Sequence, residues 1–211
     1  MNFETGYSML IDGALATGDA QIEVINPANG QIFATAPDCS PEQLDIAVAA
    51  ARRAFRTWRA VPIGERHACL RKAGDILEAN AEQLARLFTR EQGRPTDGAL
   101  SEIGIAVAWL RAYAAMIPPT HVIDNGDGQR VETSYVPLGA VCAISPWNFP
   151  VNLSIWKIAP ALAAGNTIVL KPSPFTPLCM LKIGELLKDV FPAGVLNIIS
   201  GGDALGPLMT A

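Results

Sequence analysis

No two cysteines stand close enough to clasp a metal ion. Cys39, Cys69, Cys142 and Cys179 are far apart, without a C-x-x-C spacing, and only His67 and His121 accompany them. That excludes a zinc ribbon and a small disulfide scaffold, and no metal site is expected. Charge is also scarce. Seventeen per cent of the residues are charged and the net charge is -4. Basic residues cluster only as Arg52-Arg53 and Arg71-Lys72, so nucleic acid and an anionic membrane are excluded as partners. The start, "MNFETGYSML", lacks a basic region followed by an apolar core. No apolar run approaches the roughly 18 residues that cross a bilayer, because Pro160 and Asn166 interrupt the longest ones. A G-x-G-x-x-G turn is missing too. A cytoplasmic setting with reduced thiols is the expectation.

What is present is apolar material: half of the 211 residues are hydrophobic, enough for a sizeable core in one or two domains. "QIEVINPANGQIFATAP" reads as two short strands joined by a turn at Pro27, Asn29 and Gly30. Ser40 followed by Pro41 is a helix start. Val48, Ala51, Phe55 and Trp58 then recur at helical spacing until Pro62. A second helix begins near Gly64, with Leu70, Ala73, Ile76 and Leu77 inward. A third carries Leu84, Leu87 and Phe88 and stops at Gly93. A fourth runs from about Pro95 to Ile117, where two prolines end it. Glu91 and Glu102 fall on these helices and read as solvated faces; His67 and His121 receive no role.

"HVIDNGDGQRVETSYVP" has strand-like flanks around "DNGDG", a strong hairpin signal. Polar alternation predicts one wet face. An isolated ribbon is only marginally stable, so the other face should lie on this chain or on another subunit. After Gly139 the pattern becomes strand, helix, strand, helix, strand: "GAVCAIS", "VNLSIWKIAPALAAG", "NTIVLKP", "TPLCMLKIGELLKDV" and "GVLNIIS". Strands without polar alternation, joined by helices, predict a parallel sheet covered on both faces. Ligands bind at the carboxyl ends of such strands, here the loops 145–150, 171–174 and 200–206.

"PWNFP", followed by "VLKPSPFTPL" and a "GVLNII" strand, resembles the aldehyde dehydrogenase superfamily, as do "INPANGQ", "AFRTW" and "RHACLRKAGDIL". The resemblance covers almost the whole chain. It implies an α/β fold: a Rossmann-like parallel sheet that binds the cofactor, helices before it, and a β-hairpin oligomerisation arm. The expected divisions are 1–118, 119–138 and 139–211. It also implies oxidation of an aldehyde to an acid with NAD or NADP. In such enzymes a cysteine thiolate forms a thiohemiacetal, hydride passes to the nicotinamide, and a glutamate activates the water that releases the acid. Asn148 matches the side chain that donates to the oxyanion, and Lys171 matches the lysine at the adenine-ribose hydroxyls. Pro146 and Trp147 match the wall of the cofactor groove. Ser145, Ser173, Pro174, Gly201 and Gly206 complete the expected cofactor-binding set. A homodimer or homotetramer is implied.

The sequence departs from the family in two ways. Pro174 stands where a ribose-binding glutamate is common, leaving Ser173 or backbone groups to substitute. The family's glycine-rich phosphate loop, general-base glutamate and nucleophilic cysteine would all follow Ala211. The chain is therefore expected to be the N-terminal portion of a longer enzyme, truncated before the catalytic domain and inactive alone. The alternative is a non-catalytic chain that binds nucleotide or a partner subunit. Each candidate also has a plainer reading. Asn148 would cap the next helix, Lys171 would be a solvated strand end, Trp147 would pack the core, and Gly201, Gly202 and Gly206 would serve turns. Cys142 reads as a buried structural thiol rather than a nucleophile.

Overall fold

A computed structural model describes residues 2–124 and 128–210. The chain opens with two strands that the sequence pattern did not reveal, β1 (Met9–Ile11) and β2 (Ala14–Ala16). Three residues are too few to show a period, but the Asp12-Gly13 turn between them is a hairpin signal. Both turn residues have positive φ, 53° and 78°. Strands β3 (Ala20–Asn26) and β4 (Gln31–Asp38) form the expected antiparallel pair.

Helix α1 (Pro41–Trp58) starts in a capping box: the Gln43 amide donates to Ser40 Oγ at 3.3 Å and the Ser40 amide to Gln43 Oε1 at 3.1 Å. Trp58 and Ala51 are buried, while Phe55 is half-buried. Helices α2 (Ile63–Ala79), α3 (Ala81–Gln92) and α4 (Thr96–Tyr113) follow. α3 ends at Gly93, whose φ is 83° and where a Cβ would meet Pro27 Cγ at 2.8 Å, so only glycine fits. α4 stops four residues short of Ile117.

Strands β5 (His121–Asp124) and β6 (Arg130–Thr133) pair as the expected hairpin. Its turn at 125–127 lies outside the described residues. The ribbon does not lie on this chain, which leaves another subunit as the expected cover for its second face. Val122, Ile123 and Val131 are all exposed, so this chain covers neither side of the ribbon.

Strand β7 (Ala140–Ile144), helix α5 (Pro150–Ala163), strand β8 (Thr167–Lys171), helix α6 (Leu178–Leu187) and strand β9 (Leu196–Ile198) give the alternating half. A short helix, α7 (Leu205–Thr210), occupies part of the stretch expected to be a loop. The sheet order is β2-β1-β9-β8-β7. β7, β8 and β9 are parallel, and β1 is antiparallel to β9. The fold is thus α/β with a mixed sheet, not a purely parallel one. β8 and β9 are buried throughout, but β7 is an edge strand with Cys142 and Ile144 exposed. That corrects the reading of Cys142 as buried. The thiol itself is still sheltered enough for desolvation to push it up.

Candidate active site

The strand register brings the three expected loops to one edge. Ile144 pairs with Lys171, and Leu170 with Ile198. Beyond the strand ends, the Ser145 amide donates to the Lys171 carbonyl at 3.0 Å and the Ile199 amide to the Leu170 carbonyl at 2.9 Å.

Lys171 is not a solvated strand end. It is 3% exposed, and among the described residues its ammonium has no hydrogen-bond partner. Burial pushes its pKa down, while the charges of Asp203 and Asp38 pull it up. Asp38, at the end of β4, is a site residue that sequence reasoning missed. Its Oδ1 accepts from the Gly202 amide at 3.3 Å. Ser200 holds the same junction, donating to the Pro37 carbonyl at 2.6 Å and accepting from the Cys39 amide at 2.9 Å. No local pattern in "ATAPDCSP" announces this approach. Gly201 has a packing reason to be glycine, since a Cβ would stand 2.5 Å from Leu205 Cδ2. Gly206 has room, with Ile144 Cδ1 at 4.0 Å as its neighbour.

Trp147 and Pro174 face elsewhere. They line an apolar cavity of about 530 Å³ with Val24, Ile25, Pro27 and Phe175, and Lys171 is not on its wall. Trp147 is 56% exposed and so does not pack the core. Ser145 is buried, with Oγ 2.8 Å from Ser154 Oγ, and that hydroxyl in turn donates to the Pro150 carbonyl at 2.6 Å. The Ser145 hydroxyl is therefore held inside the protein. Ser173 closes its own turn, accepting from the Phe175 amide on Oγ at 3.3 Å and from the Thr176 amide on its carbonyl at 3.2 Å. Pro146 is exposed beside Trp147.

Asn148 is exposed, and its side chain makes no hydrogen bond among the described residues. Phe149, not Asn148, occupies the N-cap position of α5, with no side-chain cap of its own. The amides that need an acceptor find Glu102: Val151 and Asn152 both donate to its Oε1 at 3.0 Å. Glu91 does the same for α6, accepting from Leu178 at 2.7 Å and Cys179 at 2.9 Å. Both carboxylates were read as solvated faces, and both are buried. The reading fails because orphan N–H groups at a helix start, with the positive end of its dipole, hold an acceptor that packing delivers from another helix. Burial pushes the Glu91 carboxyl up to about 8 against the pull of the Cys179 and Leu178 amides. Burial raises Glu102 as well, opposed by Asn152, Arg94 and Val151.

The edge of this sheet therefore carries an unpaired carboxamide, an ammonium with no hydrogen-bond partner among the described residues, and a pair of carboxylates that serve structure. The profile of the aldehyde dehydrogenase family matches residues 15–211. This chain belongs to the aldehyde dehydrogenase family. It is 38% identical to aldehyde dehydrogenase LUC3 of a Fusarium species, over 99% of this chain and 44% of that protein. It is also 38% identical to phenylacetaldehyde dehydrogenase of Pseudomonas fluorescens, over 94% and 43%. The crystal structure of Staphylococcus aureus betaine aldehyde dehydrogenase with NAD+ superposes with a TM-score of 0.93 at 30% identity, covering all of this chain and 45% of that one. This aldehyde dehydrogenase chain thus spans less than half the length of the relatives it matches. Among its described residues, no helix is long and apolar enough to cross a membrane.

Proposed function

We propose that this chain supplies the cofactor-binding part and the oxyanion donor of an enzyme that oxidises an aldehyde to a carboxylic acid with NAD or NADP. The observation that carries the reading is Asn148. Its carboxamide is left without a partner at the ligand edge of the sheet, while a different residue caps its helix. A neutral donor fixed there favours negative charge that develops only during reaction. None of the four thiols of this chain is set up as the attacking group, because desolvation raises each: Cys39 to about 12, Cys179 well above its ordinary value, and Cys69 and Cys142 upward. A thiol shifted this way is a poor source of thiolate. The same observation keeps the non-catalytic reading alive for the chain taken alone.

The residues fit a nicotinamide dinucleotide. Lys171 offers N–H donors that no described protein group takes up, suited to ribose hydroxyls or a phosphate. Once bound, that cofactor supplies the hydride acceptor. Ser173 and Pro174 follow Lys171 on the same loop, Gly201 and Gly206 shape the loop after β9, and Trp147 with Pro174 lines the neighbouring apolar cavity. The setting proposed is the cytoplasm.

Cofactor choice is the experiment. A carboxylate near the ribose accepts a hydrogen bond from the 2′-hydroxyl and repels a 2′-phosphate. Pro174 removes that clash, yet no arginine in "KPSPF" holds a phosphate bidentately. Aldehyde-dependent reduction of both cofactors is expected, with efficiencies within about tenfold, or about 1.4 kcal/mol. Pro174→Glu should shift the enzyme towards NAD. Steady-state kinetics on both variants checks this. No reduction of either cofactor with any aldehyde would reject the function, and a wild type that refuses NADP by orders of magnitude would reject the role given to Pro174.

The β5–β6 hairpin is proposed as the arm that assembles a homodimer or homotetramer. Its exposed Val122, Ile123 and Val131 support this, since a bare two-stranded ribbon has little stability of its own. Deleting 119–138 from the assembled enzyme should give a smaller species in light scattering; an unchanged mass would reject the arm.

A further inference from the structure

Arg94 lies between α3 and α4, on the link that follows Gly93. Its guanidinium pairs with Glu102 Oε2, and Nη2 donates to the Asn148 carbonyl at 2.8 Å. Its plane lies over the Phe149 ring, 4.3 Å from the centroid, with the Phe88 ring at 5.5 Å. Glu102 is 1% exposed and divides its two oxygens between tasks. Oε1 takes the Val151 and Asn152 amides, and Oε2 takes Arg94. The result is a closed ring: Asn148, Arg94, Glu102, Val151, and back through Pro150 and Phe149. The backbone is tied at the Asn148 carbonyl and again at the Val151 and Asn152 amides, while the Asn148 side chain makes no hydrogen bond among the described residues.

We infer that Arg94 and Glu102 are positioning residues that set where the Asn148 carboxamide stands. Neither reaches the reacting atoms. Arg94 fixes the Asn148 backbone by its carbonyl and the next residue by its ring, and Glu102 fixes Arg94. A donor held in place before the reaction needs no reorganisation during it. The inference rests on the reading of Asn148 as an oxyanion donor. It differs from plain helix capping because Glu102 uses separate oxygens for the helix and for the arginine.

Three variants separate these roles in the enzyme that carries this chain. Arg94→Met removes the donors. Arg94→Lys keeps a cation but loses the planar fork that serves both oxygens. Glu102→Gln keeps an amide oxygen for the two helix N–H groups but turns an NH₂ towards Arg94, donor against donor. Arg94→Met and Glu102→Gln should lower kcat by about ten- to a hundredfold, the scale of a small misplacement of a reacting group. The KM for cofactor should stay within about twofold, and Arg94→Lys, which keeps the charge but loses the planar fork and its stacking on Phe149, should recover only part of the lost kcat. In an Asn148→Ala background, Arg94→Met should lower kcat by less than about a further twofold, because its effect runs through Asn148. An equal loss in both backgrounds, or a normal kcat in Arg94→Met and Glu102→Gln while Asn148→Ala is impaired, would overturn this inference and leave the role of Asn148 standing. A normal kcat in Asn148→Ala would overturn that role and this inference with it.

Discussion

Glu102→Ala is expected to lower the stability of this chain by about 3–5 kcal/mol, the range for breaking a buried charged pair by removing one partner. The structural reasons add in one direction. The Val151 and Asn152 amides lose the acceptor they share, and buried N–H groups without partners are destabilising. Arg94, whose side chain is only 18% exposed, is left as an uncompensated charge. A void opens between α4 and α5, two helices in extensive contact. For a domain of this size the change corresponds to a melting midpoint lower by roughly 6–20 °C. Thermal unfolding followed by circular dichroism measures it directly. Glu102→Gln is the control, since it keeps the oxygen that caps α5 and should fall well short of the alanine effect. A midpoint within about 2 °C of wild type for Glu102→Ala would mean that water reaches those amides and that the carboxylate is dispensable to the fold.

Asn148→Ala should do the reverse, harming turnover and sparing stability. Loss of one oxyanion donor lowers kcat by about 10²–10³, equivalent to about 2.7–4 kcal/mol of transition-state stabilisation. The KM for cofactor should change little, because the interaction strengthens only as charge develops on the substrate oxygen. Stability should hold because the side chain is exposed and α5 takes its cap from Glu102. The two variants therefore form a crossed pair. If Asn148→Ala instead melts several degrees lower while turnover stays near wild type, the asparagine is a structural residue and the proposed chemistry loses its donor.

Much of the architecture was legible in the chain because apolar spacing sets secondary structure locally. The steps at Leu70, Ala73 and Leu77, and at Leu84, Leu87 and Phe88, mark faces that are buried in the fold. "PWNFP" and "KPS" could be placed at the ligand edge because each follows an apolar strand, and parallel strands end on the same side. β1 and β2 escaped because three-residue strands carry no period, although the Asp12-Gly13 turn was there to be read. Asp38 escaped because its approach to Gly202 spans 164 residues.

The sequence by itself determined all the longer strands and helices, where most of the polar loops fall, and which family the chain resembles. Those depend on neighbouring residues and on motifs that survive without their context. The tertiary structure alone decided what the polar side chains do. Glu102 accepts from amides 49 and 50 residues after it, and Glu91 from amides 87 and 88 residues after it. A helix start presents N–H groups that accept any nearby oxygen, so the residue that answers is chosen by how the helices pack. With carboxylates from α3 and α4 taking that task, Asn148 is released from capping, and its carboxamide is free for the role proposed for it.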